Sequence, residues 1–179
     1  MPTPNPWDYA DKSGKEHAHQ AALFMWANMA VFNGFYVANF KEAYTVPGWA
    51  LKNCQGDLVP QLKWMHAIHN QGHGDVIRGA VGKAEGVKAG VFDIFLPVPV
   101  SRPGGYNGAL PATHNAGLYI EMKVDKNQPS NQQLEFQAYA KSMHYAAEVA
   151  WGWLEARKII CAYLGLPVDI PAISVIPTP

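Results

Sequence analysis

With 179 residues the chain is long enough to bury one substantial core and short for two independent domains. Lys plus Arg and Asp plus Glu number 14 each, so the net charge is zero. That excludes a uniformly basic nucleic-acid binder and a charge-driven membrane-surface protein, and any basic surface has to be local.

Hydrophobic residues make up 49% of the chain, so its 16 Gly and 14 Pro point to long loops in a folded domain and not to disorder. The two cysteines, Cys54 and Cys161, have no metal-type spacing, and no apolar run reaches the roughly 18 residues of a membrane span. No basic, apolar leader opens the sequence, so a reduced cytoplasm is the expected location and no membrane is expected as a partner. There is no internal repeat.

Residues 1–12, with Pro2, Pro4 and Pro6, read as an arm. Ser13-Gly14-Lys15-Glu16 has the form of a capping box, with Ser13 capping a helix and Glu16 reaching back to the N-cap amide. The helix runs to about Asn33, with Ala18, Ala21, Ala22, Met25, Met29 and Phe32 as its apolar stripe and Gly34 as its stop. Glu16 and Gln20, four apart, share one face. Residues 35–63 mix aromatics with breakers and give no readable element.

Residues 64–69 fit a strand, 70–74 a loop rich in Asn and Gly, and Asp75 an N-cap for a short helix ending at Gly86, with Arg78 in its first turn. Gly90-Val91-Phe92-Asp93-Ile94-Phe95-Leu96 and Gly117-Leu118-Tyr119-Ile120-Glu121-Met122-Lys123-Val124 are short apolar runs bounded by Gly and Pro, and both read as strands. Between them, residues 97–116 form a Pro- and Gly-rich loop that is long for a hairpin connection. Ser130-Asn131-Gln132-Gln133 opens a second capping-box helix running to about His144. Residues 147–151 fit a fourth strand. Ala156, Ile159, Ile160, Tyr163 and Leu164 then stripe a last helix stopped by Gly165 and Pro167. The tail, 166–179, should be extended. The order of elements gives an α/β fold, a four-stranded mixed sheet flanked by helices, with a single domain over 1–179 and its core at about 13–165.

The chemistry lies in the two central strands. Alternation sends Leu118, Ile120, Met122 and Val124 to one face of the second and Tyr119, Glu121 and Lys123 to the other. In the first, Asp93 falls between Val91 and Phe95, with Phe92, Ile94 and Leu96 opposite. If the strands pair, Asp93, Glu121 and Lys123 converge, and burying two carboxylates and an ammonium is costly unless they pair or hold a metal. Asp93 and Glu121 offer hard oxygens suited to Mg²⁺ or Mn²⁺, and the Met122 carbonyl offers a third. Such an ion activates water and neutralises charge on a phosphodiester, while Lys123 orients the water or stabilises the phosphate.

The run Glu16, Asn70, Gly72, Arg78, Gly86-Val87-Lys88-Ala89-Gly90-Val91-Phe92-Asp93, Ile120-Glu121-Met122-Lys123 and Ser130-x-x-Gln133 resembles, over roughly 16–164, the virus-type replication-repair nuclease (VRR-NUC) domain of the PD-(D/E)xK superfamily. The resemblance implies a restriction-endonuclease-like core and a divalent-metal-dependent deoxyribonuclease acting on structured or branched DNA. In several relatives the enzyme is a homodimer that resolves four-way junctions. Position by position, Asp93 and Glu121 match the metal ligands and Lys123 the catalytic lysine. Glu16 matches an additional acidic residue at the metal, and Gln133 the glutamine of the Ser-x-x-Gln motif. Gln20, Asn70 and Arg78 match polar positions facing DNA. Phe92 stands where the family usually has the proline of its Pro-Asp pair, and 35–63 and 97–116 look like additions. The size fits a phage-encoded DNA-repair enzyme working in the host cytoplasm.

Plainer readings stand beside these. Glu16 and Gln133 are each accounted for by a capping box, Arg78 by a solvated helix face, and Glu121 with Lys123 by an exposed ion pair worth about 0–1 kcal/mol. His66, His69 and His73 suggest zinc, but on a strand His66 and His69 point to opposite faces and no cysteine is near. Trp151 and Trp153 fit core packing at a strand-to-helix corner. As a whole, the alternative to a nuclease is a non-catalytic DNA-binding or assembly module that keeps the nuclease fold, which zero net charge favours because phosphate contacts supply most DNA affinity.

Overall fold

A computed structural model of the chain describes residues 5–45, 57–68, 84–102 and 113–169. The chain divides into two compact units, Met1–Trp64 with Trp151–Pro179, and Met65–Ala150.

The first unit is helical. Where an arm was expected there is a helix, α1 (Pro6–Ser13), started by Asn5, whose side chain accepts the Trp7 N–H at 3.0 Å. Pro6 sits at the first helical position, where a missing N–H costs nothing, so a proline that read as a breaker is a start signal. Ser13 is the last residue of α1, so Lys15 and not Ser13 stands at the N-cap of the next helix. Helix α2 (Glu16–Phe32) begins after Lys15 with no side-chain cap.

Helix α2 ends as expected, at Asn33 and Gly34, both of whose N–H groups reach the Met29 carbonyl, at 2.8 and 3.2 Å. Its buried face is rotated from the expected stripe. Leu23, Trp26, Ala27, Ala30 and Val31 are buried with Ala18, Ala22 and Met29, while Phe32 is 63% exposed. The helix is apolar nearly all round, so spacing alone does not select a face, and the large Trp26 and Leu23 take the interior.

The unread segment supplies α3 (Phe35–Ala38) and two 3₁₀ turns, Lys41–Thr45 and Pro60–Trp64. The last helix of the unit, α5 (Trp153–Leu164), ends at Gly165 in the left-handed conformation, φ 74°. Trp153 is buried and meets Trp7 edge-on at 4.9 Å, whereas Trp151, expected in the core, is 40% exposed. Burial pushes the Cys161 thiol on α5 up to about 11, with nearby Arg157 opposing the shift.

The second unit holds the sheet. Its strands are β1 (His66–Ala67), β2 (Ile94–Leu96), β5 (Leu118–Lys123) and β6 (Ala146–Trp151, whose last residue belongs to the first unit), in the order β1-β2-β5-β6. The strand expected over 64–69 shrinks to two residues. β2 runs antiparallel to β1 and to β5. β6 runs parallel to β5, since Ala116 N–H reaches the His144 carbonyl at 2.7 Å and Ala146 N–H the Gly117 carbonyl at 2.9 Å, both chains advancing together. Helix α4 (Asn131–Ser142) makes the crossover. The sheet is therefore mixed, as the sequence implied.

Residues 97–116, expected as one long Pro- and Gly-rich loop, are not all loop among the described residues. They contain β3 (Val100–Arg102) and β4 (Thr113–Asn115), an antiparallel pair in a separate two-stranded sheet. Neither strand carries an alternating apolar pattern, so their pairing rests on backbone bonds and on contacts such as Ser101 Oγ to His114 Nδ1 at 2.7 Å. The helix expected from Asp75 lies almost wholly outside the described residues, as does the tail beyond Asp169. Among the described residues no helix is long and apolar enough to cross a membrane.

Helix α4 ends in a Schellman motif. Tyr145 N–H reaches the Ala140 carbonyl at 3.0 Å and His144 N–H the Lys141 carbonyl at 3.2 Å, with His144 itself at φ 60°. A Cβ is strained in that conformation and glycine is not, so His144→Gly should stabilise the protein by about 0.5–1 kcal/mol despite glycine's greater unfolded-state entropy. Chemical denaturation checks this; unchanged or lower stability contradicts the motif.

Candidate active site

Pairing of β2 with β5 assembles the candidate site. The register sets Leu96 opposite Leu118, Phe95 opposite Tyr119 and Ile94 opposite Ile120. Carried one step further, it sets Asp93 across from Glu121. Phe95 stacks on Tyr119 at 4.4 Å, which fixes the face these residues share, and by alternation Glu121 and Lys123 lie on that face too.

β2 stops before Asp93, and the Asp93 side chain takes over as partner for β5, with Oδ2 accepting the Met122 N–H at 3.1 Å. In a strand the N–H and C=O of one residue point to the same side, so the Met122 carbonyl is directed toward the edge where Asp93 sits.

Glu121 is 1% exposed and Lys123 7%. Lys123 Nζ lies 2.6 Å from Glu121 Oε1, and Gln133 Nε2 donates to the same oxygen. An exposed ion pair, the plainer reading, is ruled out by this burial. The same Gln133 closes the capping box of α4. Its Oε1 accepts the Ser130 N–H at 2.7 Å, and its N–H donates to Ser130 Oγ at 3.3 Å. The cap and the contact with Glu121 are two ends of one amide, so capping α4 does not keep Gln133 from Glu121.

Helix α4 is set against the sheet by Phe136, which meets Tyr119 edge-on at 5.1 Å and Phe92 at 5.4 Å. Phe92 packs there with Ala140 and Ala147, so it does not stay opposite Asp93 as alternation implied. The regular strand begins only at Ile94, and the residues before it are free of the two-residue period. Burial, followed by the nearby Tyr145 and Tyr139, raises the Tyr119 hydroxyl above its usual range.

Gly90 makes the approach possible. At φ +87° a Cβ there would stand 2.7 Å from Gln132 Cβ and 2.8 Å from its carbonyl, so only glycine lets the segment leading to Asp93 touch the first turn of α4. In the sequence Gly90 stands within the motif that leads to Asp93, and nothing local signals this contact.

Glu16 and Gln20 lie in the first turns of α2, in the first unit, both half-buried. Asn70 and Arg78 lie outside the described residues, as do His69 and His73 of the zinc reading. His66 is exposed, edge-on to Phe95 at 5.7 Å. Among the described residues no three His, Cys, Asp or Glu side chains come together to hold a metal. At the end of β2, Asp93, Glu121 and the Met122 carbonyl offer oxygen donors. That donor set is all oxygen and fits Mg²⁺ or Mn²⁺ in kind.

No family model matches the chain, and no curated protein matches it. Among solved structures, one described as a "VRR_NUC domain protein" is similar at 21% identity, covering 86% of this chain and 90% of that one with a TM-score of 0.48. The roles considered for individual side chains rest on their own geometry.

Removing one member of a buried ion pair strands the other charge. Lys123→Met should therefore destabilise the protein by about 3–5 kcal/mol, and the double change Glu121→Met with Lys123→Met should recover most of that loss. Denaturant titration of the single and double variants measures the coupling. A cost under about 1 kcal/mol for Lys123→Met would mean a solvated pair and a different site.

Proposed function

We propose that this chain is a divalent-metal-dependent endonuclease that hydrolyses DNA phosphodiester bonds, with structured or branched DNA as its substrate. The observation that carries the reading is the pinned Glu121 carboxylate, held by Lys123 and Gln133 on the face where Asp93 arrives from the neighbouring strand. A buried acid-and-amine pair at a strand end adds little to stability compared with apolar packing, so its presence there calls for a chemical use.

Asp93, Glu121 and the Met122 carbonyl would hold Mg²⁺ or Mn²⁺, which when bound supplies a lowered pKa for water and neutralises phosphate charge. The chain's own groups do the rest. Asp93 keeps its carboxylate at the sheet end through its bond to the Met122 N–H. Gln133 fixes the orientation of Glu121 from the start of α4. Lys123 supplies the cation that orients an attacking water or stabilises charge on the phosphate, and no protein nucleophile is required.

The motif order of the sequence supports further assignments within this reading. Glu16 contributes an additional acidic group to the metal site, and Gln20, Asn70 and Arg78 contact DNA. A homodimer engages a four-way junction.

Full-length protein incubated with linear duplex and four-way-junction DNA in Mg²⁺ or Mn²⁺ should cleave, and excess chelator should abolish cleavage. Asp93→Asn should lower the rate by at least about 100-fold while leaving the fold intact, as loss of a preorganised charge does elsewhere. Cleavage that survives chelator, or an Asp93→Asn variant as fast as wild type, overturns the mechanism. Tight junction binding without cleavage in any metal replaces it with a DNA-binding module.

A further inference from the structure

The first unit carries a cavity of about 260 Å³ lined by Trp7, Asn39, Leu154, Arg157, Val168 and Asp169. Arg157 is only 8% exposed. Its Nη1 donates to Asn39 Oδ1 at 2.5 Å and its Nη2 to the Val168 carbonyl at 2.9 Å. Both acceptors are neutral, its Nε has no hydrogen-bond partner, and no carboxylate among the described residues pairs with it.

A guanidinium buried without a counter-charge is costly, and one lining a cavity with donors to spare is suited to a carboxylate or phosphate. Asn39 is held in place. Its Oδ1 also accepts from Trp26 Nε1 at 3.1 Å and its Nδ2 donates one N–H to the Phe35 carbonyl at 2.6 Å, so the side chain is fixed to orient Arg157.

The rest of the lining narrows the ligand. Asp169 adds an exposed negative charge to the same cavity, which disfavours a phosphate dianion and suits an ammonium. Trp7, held edge-on by Trp153 at 4.9 Å and Tyr44 at 5.9 Å, and Leu154 give a firm apolar wall. The cavity lies below the roughly 300 Å³ at which pockets begin to admit drug-sized ligands.

We infer that this cavity is a binding site for a free α-amino acid with an apolar side chain, its carboxylate on Arg157, its ammonium toward Asp169 and its side chain against Trp7 and Leu154. Its lining belongs to the first unit and shares no residue with Asp93, Glu121 and Lys123, so binding there does not depend on the nuclease reading.

Calorimetric titration of the full chain with leucine and phenylalanine should give saturable binding of at least one. Leucinamide, which lacks the carboxylate, and N-acetylleucine, which lacks the ammonium, should each bind at least about tenfold more weakly, and inorganic phosphate should not bind. Because Arg157 is buried and its variants risk misfolding, the informative change is Asp169→Asn. It should weaken amino-acid binding by about three- to tenfold without altering the melting temperature. The inference fails if neither amino acid binds at up to about 10 mM, if N-acetylleucine or phosphate binds as tightly as leucine, or if Asp169→Asn leaves the affinity unchanged.

Discussion

The second unit depends on one carboxylate. Glu121 is out of water, and its Oε1 takes both the Lys123 ammonium at 2.6 Å and the Gln133 amide. Each of those donors belongs to a different part of the architecture. Lys123 is two residues along β5, so the strand's own period brings it to Glu121, whereas Gln133 comes from the first turn of α4 and exists there because Ser130 caps that helix. The bond from Gln133 thus joins helix to sheet at the place where the strand carries charge. Asp93 completes the arrangement from β2, whose ladder ends one residue short and leaves its side chain to take the Met122 N–H.

Packing around this cluster holds it in place. Phe95, Tyr119, Phe136 and Tyr145 form an aromatic group between β2, β5 and α4, with ring separations from 4.4 to 6.0 Å. Such rings add to burial through edge-to-face and stacked contacts. Gly90 removes the Cβ that would keep the segment before Asp93 from Gln132. The carboxylates are therefore set by apolar contacts and one glycine as much as by their own hydrogen bonds.

Much of this was legible in the sequence, for identifiable reasons. β5, α4, β6 and α5 carry strong local signals, among them an apolar run opened by Gly117, an S-x-x-Q cap and a terminal Gly165, and each formed close to its expected bounds. The convergence of Glu121 and Lys123 followed from the period of a strand, and that of Asp93 from antiparallel pairing with β2. What failed to read did so where local rules compete. Pro6 is both a helix breaker and a favoured first residue, and the tertiary structure chose the second. α2 is apolar on too many sides for spacing to select a face. β3 and β4 lack any apolar alternation, so nothing local marked them as strands. Phe92 left its expected face because the regular strand starts two residues later.

The central claim is that Asp93 and Glu121 share a dication. Crystals grown with Mn²⁺ and measured at its absorption edge test it most directly. The account predicts an anomalous peak about 2.2 Å from carboxylate oxygens of both Asp93 and Glu121, with the Lys123 ammonium on the same face. Manganese bound elsewhere, or none at saturating concentration with the two carboxylates turned apart, would contradict it.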